Sequence, residues 1–164
     1  MRFGNIEISE NEIINFNEGL LGFEDELEFC LVDPNDSTLI LWLQSTKTPS
    51  ICFPIIEPNF FTENSEFKIP LSDLATLEIE DTNKLVFNIL TIPAAATEIS
   101  ANLKAPIVIN NTTRSAKQIV LQDNKLSVNE NIYEGLKKSI SSFKLNKDNS
   151  YSSQISQKIN TISL

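Results

Sequence analysis

The sequence predicts an all-β fold: a small antiparallel β-barrel-like domain of about ten short strands, followed by a C-terminal helical or disordered tail. Three observations lead there. Apolar runs of strand length recur at roughly 8–12 residue spacing up to about residue 130. No helical period is sustained before that point. The chain holds only four glycines in 164 residues, so the breaks between runs are polar turns, not flexible linkers.

Taken in order, IEI (6–8) and IINF (13–16) are short strand candidates, and EFCLVD (28–33) follows the turn-rich GLLGFEDE. TLILWLQ (38–44) is continuously apolar, as a strand covered on both faces would be. ICFPIIEP (51–58) contains Pro54, which a central strand tolerates poorly, so an edge strand or a bulge is expected. EFKIP (66–70) leads into PLSDLATL, where Ser72 is placed to cap a short helical turn. LEIED (77–81) and KLVFNILTIP (84–93) read as a hairpin around Thr82 and Asn83. PIVIN (106–110), SAKQIVLQ (115–122) and KLSVN (125–129) complete the set. Leu39, Leu41, Phe53, Val86, Ile89 and Val108 are the bulky candidates for a filled barrel interior.

From residue 131 the pattern changes, which divides the chain into a barrel domain (1–130) and an amphipathic helix with a polar tail (131–164). Ile132, Leu136, Ile140 and Phe143 are spaced by four, four and three and form one helical stripe. Gly135 interrupts it unfavourably. The stripe either packs on the barrel or serves as a docking arm. The Ser-, Asn- and Lys-rich segment beyond it is disordered or folds on a partner.

Charge narrows the functional classes. Thirteen basic against 22 acidic residues leave a net charge of −9. Residues 1–36 hold ten acids and a single base, Arg2. Such a surface repels nucleic acid and anionic membrane and steers basic partners inward, so direct nucleic-acid binding is not expected. No apolar run reaches the roughly 18 residues of a membrane span, and the N-terminus lacks an apolar signal core. Cys30 and Cys52 lie in apolar contexts and read as buried free thiols of a cytoplasmic protein.

Catalytic apparatus is sparse. With no histidine in the chain, the commonest general base and the usual ligands of catalytic zinc or iron are missing. No phosphate-cradling glycine motif occurs. Carboxylate pairs arise by chance among 22 acids, and Lys104 reads as an aliphatic-stemmed surface lysine, not a Schiff-base former. No enzyme activity, cofactor or metal is expected.

Three segments together resemble the FliW family of bacterial flagellar assembly factors: FNEGLLGFEDELEFCLVD (16–33), WLQSTKTPSICFPIIEPNFF (42–61) and ANLKAPIVINNTTRSAKQIVL (101–121). Within them Trp42, Gln44, Asn102, Pro106, Asn110 and Gln118 form the structural signature. The chain departs from the family pattern at Leu21, where proline is common, at Leu126, where tyrosine is common, and in its longer tail. The resemblance implies a cytoplasmic, monomeric protein that works by binding. Its implied partners are CsrA, the translational repressor of flagellin messenger RNA, and flagellin, which competes with CsrA.

The residues themselves favour an architectural reading of the amides of the third segment over a reactive or ligand-binding one. Asn110 and Asn111 start the NNTTR turn, tolerating left-handed backbone and bonding nearby amides. Asn102 bridges the loop before Pro106, and Gln44 and Gln118 pin loops. Partner contact is expected in two acidic loops: Glu24, Asp25 and Glu26 after the GLLG turn, and Glu57, Asn59, Phe60, Phe61 and Glu63 in IEPNFFTEN. A small-ligand-binding barrel and a flagellin chaperone without CsrA binding stand as alternatives.

Overall fold

A computed structural model describes residues 3–34, 39–64 and 66–145, the last three by their backbone alone. Nine strands form: β1 (Ile14–Phe16), β2 (Glu28–Val32), β3 (Leu41–Ser45), β4 (Cys52–Ile56), β5 (Lys84–Thr91), β6 (Ser100–Ala101), β7 (Ile107–Asn110), β8 (Ser115–Gln118) and β9 (Glu130–Asn131). Two helices accompany them, α1 (Leu71–Thr76) and α2 (Tyr133–Leu145). The strand order β4-β3-β2-β1-β8-β7-β5, with β5 returning to β4, closes a seven-stranded barrel. The short strands β6 and β9 extend the far part of β5 as a small side sheet.

One pair departs from the antiparallel expectation. β1 and β8 run parallel, with Asn15 opposite Ser115 and Phe16 opposite Ala116. Parallel neighbours need a long connection, and nearly the whole barrel intervenes between these two. The expected strands at 6–8, 66–70, 77–81 and 125–129 are coil or turn, and β6 and β9 arise where none was expected. The Thr82–Asn83 hairpin therefore does not form. Instead the Asn83 side chain accepts a hydrogen bond from the Glu80 N–H and closes a local turn. Ser72 does not cap α1, whose N-cap is Pro70; the Ser72 carbonyl accepts from the Thr76 hydroxyl instead.

Pro54 lies in a strand bonded on both sides, not at an edge. The alternation of an antiparallel ladder explains its tolerance. The Ser45 N–H donates to the Ile51 carbonyl, so the Trp42–Pro54 pair three steps along falls at a non-hydrogen-bonded position. The missing N–H thus points away from β3. On that other side the register with β5 begins only at Ile55.

Alternation sorts the apolar residues into three clusters. Ile14, Phe16, Leu20, Phe29, Leu41, Leu43, Ile55, Leu85, Phe87, Ile107 and Ile109 fill the barrel, with Phe53 and Ile89 against them. Of the six interior candidates, Leu41, Phe53 and Ile89 belong to this cluster. Leu39 does not; it joins Ile56, Phe60, Phe61, Leu90, Ile99, Ile132 and Leu136 in a second cluster beneath α2. Val86 and Val108 also face outward, into a third cluster with Leu77, Ile119 and Leu121. These two have neighbours at positions of opposite parity in the interior, as a period of two requires.

The helical stripe is buried at its start and exposed at Ile140, and the side chain of its last member, Phe143, lies outside the described residues. Ile132 and Leu136 are buried in the second cluster, whereas Ile140 is 40% exposed. Gly135 has a positive role that its poor helix propensity conceals. A Cβ there would lie 2.0 Å from the Phe61 carbonyl oxygen. Only glycine lets α2 approach this backbone, and one turn on, the Ser139 hydroxyl donates to the Phe60 carbonyl. The tail from 146 onward lies outside the described residues.

We expect Gly135→Ala to lower stability by about 1–3 kcal/mol through overpacking, against the ~1 kcal/mol that alanine ordinarily adds in a helix interior. Urea unfolding checks this; an unchanged or higher midpoint would refute it.

Candidate interaction surface

The 11 residues between β1 and β2 are held as a shaped loop. Gly19 and Gly22 both take positive φ, and a Cβ on Gly19 would come within 2.7 Å of the Glu24 backbone. The Phe23 N–H donates to the Leu20 carbonyl and the Glu26 N–H to the Phe23 carbonyl. The Gly22 N–H donates to the Glu24 carboxylate. That contact is the chief reason the Glu24 carboxyl sits below its ordinary range and stays charged. Leu20 points into the barrel core, and the Phe23 ring packs edge-on against Phe53, centroids 5.0 Å apart.

Two side chains tie the loop down, Gln118 from outside it and Glu26 from within it. Gln118, at the end of β8, accepts from the Leu21 N–H at 2.9 Å and donates to the Ala105 carbonyl at 3.2 Å. Glu26 is buried and accepts from the Ser45 hydroxyl at 2.5 Å and the Thr48 hydroxyl at 2.5 Å. Ser45 in turn accepts from the Thr48 N–H, and Gln44 donates to the Ser45, Pro49 and Ile51 carbonyls. The loop and the β3–β4 hairpin are thus one hydrogen-bonded unit. The two hydroxyls, Ser45 first, pull the Glu26 carboxyl below its ordinary value of 4.5.

Glu24 and Asp25 are exposed, as expected of partner-contacting acids, but Glu26 is a structural anchor. The second expected segment fares similarly. Asn59 and Glu63 are exposed and Glu57 is half-buried, while Phe60 and Phe61 are both core residues beneath α2. No aromatic pair is offered to a partner there. Asn59, Phe61, Thr62, Glu63 and Asn64 face Gly135, Lys138 and Ser139 across a polar cleft of about 730 Å³. The two acidic segments lie at opposite ends of β4 and do not form one surface: the first is tied to the hairpin that enters β4, the second follows its last residue.

The signature amides act as ties. Asn110 is fully buried; its carbonyl oxygen accepts from the Thr112 and Thr113 N–H groups, and its amide donates to the Leu77 and Glu78 carbonyls. The left-handed residue of the NNTTR turn is Arg114 (φ 66°), not an asparagine. Asn102 accepts from the Ala105 N–H, bridging the loop before Pro106. Half-buried Trp42 packs against Phe3, centroids 5.7 Å apart. Among the described residues no group of His, Cys, Asp or Glu is placed to hold a metal ion.

Sequence reasoning missed the apolar part of the first loop. Leu21 is 59% exposed, Leu27 45% and Phe23 39%. The signal was available: GLLGFEDEL packs four large apolar residues between glycines and acids with no strand or helix period, so one short turn has to leave some of them in water.

A family model described as FliW protein matches residues 1–132. The chain belongs to the FliW family. It is 39% identical over 140 residues to the flagellar assembly factor FliW of Bdellovibrio bacteriovorus, covering 85% of this chain and 80% of that protein. It is 42% identical over 135 residues to the FliW of Thermosipho africanus, covering 81% and 93%. A crystal structure of a flagellar assembly factor FliW superposes with a TM-score of 0.74 at 32% identity, over 78% of this chain and 90% of that one. The FliW match thus takes in the whole barrel, and the segment beyond residue 132 falls outside the family model.

Because the folded Glu26 carboxyl titrates lower than its unfolded counterpart, its contribution to stability is present above the unfolded value and is lost as pH falls through the folded one. We expect Glu26→Gln to unfold at lower denaturant than the parent at pH 7, with the gap closing as pH falls below the ordinary carboxylate range. Denaturant midpoints across pH test this. A gap independent of pH would exclude the carboxylate as the cause.

Proposed function

We propose that this flagellar assembly factor acts in the cytoplasm as a non-catalytic binding protein with two alternative partners. It binds the translational repressor CsrA and so relieves repression of flagellin messenger RNA. It binds flagellin as the competing partner, so that accumulating flagellin returns CsrA to its repressing state. The observation that carries this reading is FliW family membership across the whole barrel. The physics of the chain is consistent with it. A net charge of −9 favours encounter with a basic RNA-binding protein and disfavours binding the RNA itself. The barrel interior is occupied by packed side chains from seven strands, so a small-ligand reading finds no support there. Among the described residues no helix is long and apolar enough to cross a membrane.

Isothermal titration of the full chain with CsrA and with flagellin separately, then with flagellin into the preformed CsrA mixture, tests the proposal. Heat with each partner alone and displacement in the third titration are expected. The CsrA affinity should fall between about 50 and 500 mM salt, where screening shortens from beyond 10 Å to a few ångströms. Heat with flagellin alone would reduce the protein to a flagellin chaperone, and heat with neither would end the reading.

A further inference from the structure

Three exposed apolar side chains, Leu21, Phe23 and Leu27, stand on a loop held from every side. The glycine turn, the Gln118 bond to the Leu21 N–H, the Phe23–Phe53 contact and the Glu26 cluster leave it little freedom to turn them inward. Unanchored loops bury or shed such residues; a fixed apolar patch in water marks an interaction surface. Within the loop the charge is of one sign. Glu18, Glu24, Asp25 and Glu28 are exposed, and residues 17–28 contain no base. Lys117 lies 3.8 Å from Glu18 but is held chiefly by Asp73 of α1 at 3.0 Å, and Lys47 stands on the neighbouring hairpin.

We propose that the β1–β2 loop is the docking face for a cationic amphipathic helix of a partner protein. Charge selects the partner: an apolar stripe flanked by lysines or arginines complements a patch whose rim is dominated by acids. Geometry selects the helix. The barrel is closed, so β4, β3, β2, β1, β8, β7 and β5 offer one another their edges and leave none at this loop for an added strand. Side chains must make the contact. The inference deepens the reading of the protein as a binder of other proteins and rests on that reading for its partner, but the surface is testable without it.

The probe is a fluorescein-labelled Leu/Lys peptide with its leucines on one helical face, beside a scrambled peptide of the same composition. Fluorescence anisotropy with the full chain should favour the striped peptide by at least about tenfold, and the Leu21→Ser/Leu27→Ser double variant should erase that preference. Val128→Ser, an equally exposed apolar position away from the loop, should leave it intact. Asp25→Lys, at a side chain with no hydrogen bond among the described residues, should weaken binding at low salt and little at high salt. Equal binding of the two peptides by the parent chain would overturn the proposal, as would full preference in the double variant. A parent dimer that the double variant dissolves would also overturn it, by making a second copy the occupant. If the double variant still captures CsrA as the parent does, the surface is wrong and the function stands. If the parent captures neither CsrA nor flagellin, the function fails and the peptide result decides the surface alone.

Discussion

The barrel closes because β1 and β8 lie side by side and parallel. Every other barrel contact is between strands running in opposite directions. This one pair joins residues about a hundred positions apart and brings the acidic N-terminal segment against the end of the 101–121 segment. Its consequences reach the surface. Gln118 can hold the Leu21 N–H only because β8 ends beside β1, and Lys117 can meet both Glu18 and Asp73 for the same reason. The shape of the β1–β2 loop is thus set from the far end of the domain. Closing so large a loop carries an entropic cost that grows slowly with length. The burial of Ile14, Phe16, Ala116 and the residues packed on them offsets it.

The outer face of the barrel is insulated in two places, beneath α2 and beneath the segments that flank α1, where Phe67, Ile69, Leu77 and Ile79 pack, and polar side chains fix the segments that do the covering. Asn110 reaches out of β7 to carbonyls at 77 and 78, which pins the end of α1 over Val108 and Ile119. Asn88 does the same from β5, donating to the Asn102 carbonyl. A buried hydrogen bond of this kind contributes only about 1 kcal/mol, but leaving its partner unsatisfied costs about 1–3 kcal/mol. The amides therefore act more against alternative loop positions than for the native one. On the other side of the barrel, the glycine at 135 serves the same end by removing atoms: it lets a helix backbone touch a strand-following turn.

Much of this was legible in the residues. The fold class, the cores of β2, β3, β4, β5, β7 and β8, and the architectural role of Asn102, Asn110, Gln44 and Gln118 follow from periodicity and from where amides sit beside turns. The misses have physical causes. LEIED alternates like a strand, but Leu77 and Ile79 are covered by the third cluster without any ladder partner. KLSVN likewise alternates, with only Leu126 packed against that cluster. Pro54 looked like an edge because the sequence does not reveal which side of a strand a missing N–H faces. Phe60 and Phe61 looked like surface anchors because adjacent aromatics in a strand cannot both point inward; in the tight turn at 58–60 they can. The parity of Val86 and Val108 could not be read without knowing which face of each strand was the lumen. At the candidate surface, Glu24 and Asp25 were visible as charge, while the buried anchor Glu26 could not be told from them without its two hydroxyl partners.

Cys30 carries an implication of its own. It is buried in β2, beside Gln44, which in turn neighbours Cys52. Loss of hydration pushes its thiol up to about 11, with Glu12 and Cys52 adding to the effect. Alkylating reagents need the thiolate, so in the intact sheet this sulfur is inert at neutral pH for two separate reasons. It regains ordinary reactivity when β2 parts from its neighbours and the thiol is rehydrated. The rate at which it is labelled is consequently a clock for sheet opening, built into the wall of the barrel without any engineered tag.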